Sequence, residues 1–157
     1  MGDFGRYVTL RDQVREFHVT MGVPADAAKP TVIPDKRVRL RAALIAEEFV
    51  ETMAAMLKID AQWLHGQLSQ MVESATVCVD MVELADGLAD LDYVVEGTRL
   101  EMGIDGEPIA AEVHRSNMAK FAGEVAPNGK RLKPPGWTPP DIAGVLKAQG
   151  WKPEGGT

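Results

Sequence analysis

The chain has a single cysteine, Cys78, so no intrachain disulfide can form. Its setting, "ATVCVDM", reads as that of a small core residue. Aromatic residues make up only 6% of the 157 residues, and no stretch reads convincingly as a strand. Ala, Leu, Val and Met supply most of the apolar bulk, a mix that favours helices over a β-sandwich. No apolar run approaches the ~20 residues that a membrane span needs. The opening "MGDFGRYVTL" lacks the apolar centre of a secretory signal, so the expectation is a cytoplasmic protein without membrane contact. Basic charge is also short: 17 Lys and Arg stand against 23 Asp and Glu, a formal net charge of −6, which excludes a general nucleic-acid binder.

What is present is an apolar fraction of 45% in a length that suits one domain, spanning 1–157. The charge within it is unevenly spread. Residues 40–112 hold fifteen acids against three bases, a net of −12, and residues 115–152 hold seven bases against two acids, a net of +5. An acidic centre beside a basic tail can bind cations and a polyanion together; the plainer alternative is a set of solvated helix faces followed by a basic loop.

Local signals predict an all-α chain. Thr9 with Asp12 resembles a capping box and opens a helix over 9–18. Pro24, Pro30 and Pro34 make 19–34 an irregular connection, after which Asp35 can cap a long helix to about Leu57. Asp60 caps a short piece, "AQWLHGQL", and 66–76, with Gly66, Ser69 and Ser74, reads as either a loop or a helix start. A strong helical pattern runs from Val77 to about Met102, and "GIDGEP" breaks it. Pro108 suits the first turn of a helix to about Phe121. The core is expected over 35–121, a Pro/Gly-rich basic loop from 122, and a last helix, capped by Asp141, within 122–150. The two long helices should pack antiparallel. Met53, Met56 and Met81 offer an apolar face for a second subunit, so the fold class expected is an antiparallel helical bundle completed by homo-oligomerisation.

Against that background the stretch "LIAEEFVE" is anomalous. Leu40, Leu44, Glu47, Glu51 and Ala54 form one line on the helix, and Arg41, Leu44, Glu48, Glu51 and Ala55 form another beside it. On the later helix Val79, Glu83, Asp86, Asp90 and Tyr93 line up in the same way. Burying one unpaired carboxylate costs several kcal/mol, so such a cluster is solvated, salt-paired or metal-bound. Salt pairing has little local support, because Arg41, Lys58 and Arg99 are the only bases between 40 and 112. Glu48 and Glu51 are i, i+3, as are Glu83 and Asp86, and two such pairs on facing helices would converge on one point. Such all-oxygen ligation suits Mg²⁺, with Mn²⁺ as the alternative ion, rather than zinc.

The motifs "EEFVE" at 47–51 and "ELAD" at 83–86 resemble the EExxE and ExxD signature of the MazG-like all-α nucleoside triphosphate pyrophosphohydrolases. The runs "EVHRSNMAKF" and "NGKRLKPPGWTPPDI" resemble a phage and bacterial branch of that superfamily, and the likeness covers roughly 35–146. The resemblance implies cleavage of a nucleoside triphosphate between the α- and β-phosphates. It implies that Glu48, Glu51, Glu83 and Asp86 hold Mg²⁺ and that Glu47 orients or deprotonates the attacking water. Asp90 extends the acidic face as an outer partner or sugar contact, or is a solvated acid. Tyr93 packs beside a base or ribose, or belongs to the core.

Given the resemblance, Asn117 and Lys120, three apart on one helix, reach phosphates together, and Lys130 and Lys133 sit in a loop that closes over a triphosphate. Arg115 should face elsewhere, and Trp63, Trp137 and Trp151 should anchor packing or subunit contacts. The resemblance also implies a homodimer or homotetramer. Two competing functions stand beside it: a phosphoribosyl-ATP pyrophosphohydrolase with a similar metal cluster, and a non-catalytic helical oligomerisation module.

Overall fold

The computed structural model describes residues 8–124 and 132–153. These form α1 (Leu10–Thr20), α2 (Asp35–Met56), α3 (Ala61–Ser74), α4 (Met81–Met102), α5 (Gly106–Ala119) and α6 (Ile142–Ala148), with one 3₁₀ turn at Lys120–Ala122 and no strand among the described residues. No helix among them is long and apolar enough to cross a membrane. The chain divides into two compact units, one of Lys29–Leu88 and one that joins Met1–Ala28 to Ala89–Thr157.

In the first unit α2 folds back on α3 across a four-residue connection. Val50 of α2 is 2% exposed and is the one apolar residue fully buried among the described residues. The half-buried positions Arg39, Ala46, Glu47, Met53 and Ala54 continue its stripe at helical spacing. Arg39 fixes the antiparallel sense. Its guanidinium donates to the carbonyls of Val72 at 2.7 Å, Glu73 at 3.1 Å and Ala75 at 2.7 Å, placing a cation on the negative end of α3. Asp60 caps the other end of α3 by accepting from the Trp63 N–H at 2.9 Å.

One stretch left open is settled here, and two expectations are corrected. The stretch 66–76 is helix almost throughout, because α3 continues past Gly66 to Ser74. The long helix expected from Val77 begins at Met81, where Asp80 Oδ1 accepts from the N–H groups of Val82 and Glu83 and so stops the helix from starting earlier. Helix α2 gives a packed face to α3, the helix next to it in sequence, across a short loop that closes at little entropic cost. Leu40, Leu44, Ile45 and Phe49 of α2 therefore remain exposed, as do Leu84, Leu88, Leu91, Val94 and Val95 of α4. Asp35 is the first residue of α2 and not its cap; Pro34 precedes the helix without a side-chain bond.

In the second unit α1 and α6 both pack on α5. The Thr9–Asp12 capping box forms as expected. Phe17 of α1 meets Phe121 with ring centroids 5.2 Å apart, and Glu16 Oε2 lies 3.2 Å from His114 Nε2 on α5. Helix α4 ends at Gly103, whose φ of 67° only glycine adopts without strain. The Ile104 N–H then reaches back to the Arg99 carbonyl at 2.9 Å and closes the helix. The Gln149 side chain brackets the Asp105 backbone at both N–H and carbonyl, each at 2.9 Å, tying α6 to the turn before α5.

Glu112 joins α5 to the start of α6. It accepts from Arg115 at 2.7 and 2.8 Å and from the Asp141 N–H at 2.8 Å. The Arg115 guanidinium first, and that backbone N–H second, hold its carboxyl at about 2, below the usual 4.5. A carboxylate whose pKa falls on folding adds stability above its unfolded pKa and loses that contribution as the pH drops towards the folded one. Glu112→Gln should therefore lower the melting temperature at pH 7, and the gap to wild type should close as the pH falls from 4.5 to 2, as followed by circular dichroism melts.

Candidate active site

The carboxylates predicted to hold a metal stand on regular helices, which fixes each pair on one face. Glu48 and Glu51 lie together on the exposed side of α2. Glu47 is half-buried on the flank of that helix that packs on α3, one turn before Val50. Glu83 occupies the first turn of α4, where the helix dipole favours an acid whatever else it does, and Asp86 follows one turn later. Both are exposed, as is Asp90. Tyr93 is 82% exposed, which removes the core reading for it.

Carboxylate oxygens suit a hard divalent cation, so the donor chemistry fits Mg²⁺. Among the described residues no three acids, histidines or cysteines gather where one ion could be held.

The cationic side is assembled more tightly. Lys120 Nζ donates to Asn117 Oδ1 at 2.8 Å, so the i, i+3 pair expected from the sequence shares one face. Lys133 joins them through Trp137: its Nζ lies 4.4 Å from the indole centroid and that of Lys120 lies 5.5 Å from it. The indole N–H donates to the Ser116 carbonyl at 3.0 Å, and Ser116, 1% exposed, donates through Oγ to the Thr138 carbonyl at 3.2 Å. A buried serine on α5 thus clamps the strand of chain that carries Lys133. Gly123 makes this return possible, since a Cβ there would collide with the Leu132 carbonyl. The Leu132 N–H donates to the Glu124 carbonyl at 2.8 Å beside it. Lys130 lies outside the described residues. Arg115 turns away to Glu112, as its spacing implied.

The model of the phosphoribosyl-ATP pyrophosphohydrolase family matches residues 14–117, which is 104 of the 157 residues. The chain belongs to the phosphoribosyl-ATP pyrophosphohydrolase family. Comparison with curated proteins one by one finds no match. Membership makes the chain a pyrophosphohydrolase, in agreement with the superfamily resemblance of its acidic motifs. The matched segment contains both acidic motifs and ends at Asn117, so Lys120, Lys133 and Trp137 lie beyond it.

Trp137 was expected only as a packing anchor, and Gln13 and Arg99, which line a pocket between α1 and α5, carried no motif at all. The one available signal was "GKRLKPPGW", which places a tryptophan four residues after a lysine in a Pro/Gly-rich run. If Trp137 gathers the lysines for an anion, Trp137→Leu should weaken binding of inorganic pyrophosphate about tenfold, equivalent to roughly 1.4 kcal/mol, in calorimetric titration.

Proposed function

We propose that the protein is a Mg²⁺-dependent nucleoside triphosphate pyrophosphohydrolase that converts a (d)NTP to a (d)NMP and pyrophosphate, in nucleotide-pool sanitation or supply. The observation that carries this reading is the cationic cluster of Asn117, Lys120 and Lys133 around Trp137, in a chain whose long helices carry the paired acidic motifs of a pyrophosphohydrolase. Lys120 and Lys133 bind the phosphates as point charges, and Asn117 orients Lys120.

Glu48, Glu51, Glu83 and Asp86 would hold Mg²⁺, or Mn²⁺ in its place. When bound, the ion neutralises phosphate charge. Glu47, restrained by its half-buried position, orients the attacking water and takes its proton. The water oxygen bonds to one phosphorus of the α–β bridge, and the bridging oxygen leaves with the other. Asp90 and Tyr93, about one and two turns beyond Asp86 on α4, would contact the sugar or base. A homodimer or homotetramer is part of the same reading, supported by the apolar residues that α4 leaves exposed along its length, from Val82 to Met102.

The family match favours a second reading, in which the substrate is phosphoribosyl-ATP itself. One assay separates them. The protein is incubated with Mg²⁺ and standard and modified dNTPs, or with phosphoribosyl-ATP, and the products are resolved by chromatography. The first reading expects NMP and pyrophosphate from at least one dNTP, with a 10²–10⁴-fold fall in turnover for Glu47→Gln. NDP and phosphate as products would sink α–β cleavage, and turnover of phosphoribosyl-ATP alone would replace the first reading by the second.

A further inference from the structure

The segment 137–141 is tied to one face of α5 at successive points. The Trp137 indole N–H donates to the Ser116 carbonyl at 3.0 Å, Ser116 Oγ donates to the Thr138 carbonyl at 3.2 Å, and the Asp141 N–H donates to Glu112 Oε1 at 2.8 Å. Glu112 and Ser116 stand one turn apart, so the segment runs back along the helix. Ser116 is bonded to it twice. At 1% exposure, and with its hydroxyl proton given to Thr138, this serine cannot itself reach a bound anion. An alanine would fill nearly the same space, so the contribution of the hydroxyl is the direction it imposes on the chain that it holds.

That direction is carried on to Lys133 through a stiff joint. The Trp137 N–H donates to the Pro134 carbonyl at 3.0 Å and closes a turn over residues 134–137, with Gly136 at φ 78°. Pro135 and Gly136 at the two centre positions are the residues that a type II turn demands, since proline presets its own φ and glycine takes the positive one. Pro134 in turn restricts the backbone of Lys133 to extended conformations. The turn folds Lys133 back over the indole, where its Nζ lies 4.4 Å from the ring centroid. We propose that Ser116 is a positioning residue for phosphate binding: by holding Trp137 and Thr138 on α5 it fixes where Lys133 stands, and so sets the affinity for a polyphosphate that it never touches. This step rests on the reading of Lys120 and Lys133 as phosphate ligands. Lys120 needs no such help, because it is the C-cap of α5 and is bonded to Asn117 at 2.8 Å.

A double-variant cycle separates this role from general packing. Inorganic pyrophosphate is titrated calorimetrically into wild type, Ser116→Ala, Lys133→Ala and the variant carrying both changes, with circular dichroism melts to establish that each is folded. Ser116→Ala should weaken binding roughly 3–10-fold, the worth of one net hydrogen bond. With Lys133 already alanine, the same change should cost less than about twofold. Equal weakening in the two backgrounds, as general loss of packing would give, overturns the proposal, and so does full affinity in Ser116→Ala. Wild-type affinity in Lys133→Ala removes Lys133 as a phosphate ligand and the positioning role with it. Weakened Lys133→Ala beside an unaffected Ser116→Ala sinks the positioning role alone. Should Ser116→Ala not fold, Gly136→Ala decides by the same outcomes, because it strains the exposed turn at φ 78° and leaves the buried contact on α5 intact.

Discussion

An ionised carboxylate cannot enter an apolar contact without a partner, and both long helices place their acids among leucines, valines and phenylalanine. Much of the architecture follows from that constraint. Helix α2 offers α3 the one stripe that it can bury, centred on Val50, and keeps Glu48 and Glu51 outside it. The result leaves Leu44 and Phe49 exposed beside those acids. Helix α4 exposes apolar and acidic residues together along its length. A helix with this surface is suited to a second subunit that covers its leucines and valines, and to a cation that partners its acids.

The second unit meets the opposite problem, that of holding like charges near one another. Lys120 and Lys133 repel, yet both lie over one indole ring whose face attracts cations. The ring is held in turn by Ser116, which is buried where α5 meets the segment 132–138. The same helix carries Glu112, locked by Arg115 and the first N–H before α6, and His114, set against Glu16 of α1. Helix α5 is thus the support on which the cationic cluster and the α1–α5 pocket are both built.

Much of the local chemistry decided within four residues was legible in the sequence, the caps at Asp35 and Asp80 excepted. The Thr9–Asp12 box, the Asp60 and Asp141 caps and the break after Met102 form as their spacing implies. Choices made at longer range were not legible. Gly66 and two serines gave α3 a weak local pattern, and only its packing on α2, with Arg39 on its last carbonyls, makes it a full helix. Leu40 and Leu44 look like a core stripe on a helical wheel, but the stripe that α2 buries against α3 is that of Ala46, Val50 and Met53. The run "GKRLKPPGW" signalled only Lys133 beside Trp137, because Lys120 comes from the other side of the 125–131 segment. The acidic motifs were legible as a family signature, in agreement with the family match, although the same spacing does not by itself bring the acids together in one chain.

The central proposal is that the acids of α2 and α4 hold a divalent cation. Calorimetric titration of Mg²⁺ into wild type and into a Glu51→Gln, Glu83→Gln double variant tests it most directly, with circular dichroism confirming that both are folded. The account predicts saturable binding by wild type and none by the variant. Equal heats for the two proteins, or no binding by wild type, would contradict it.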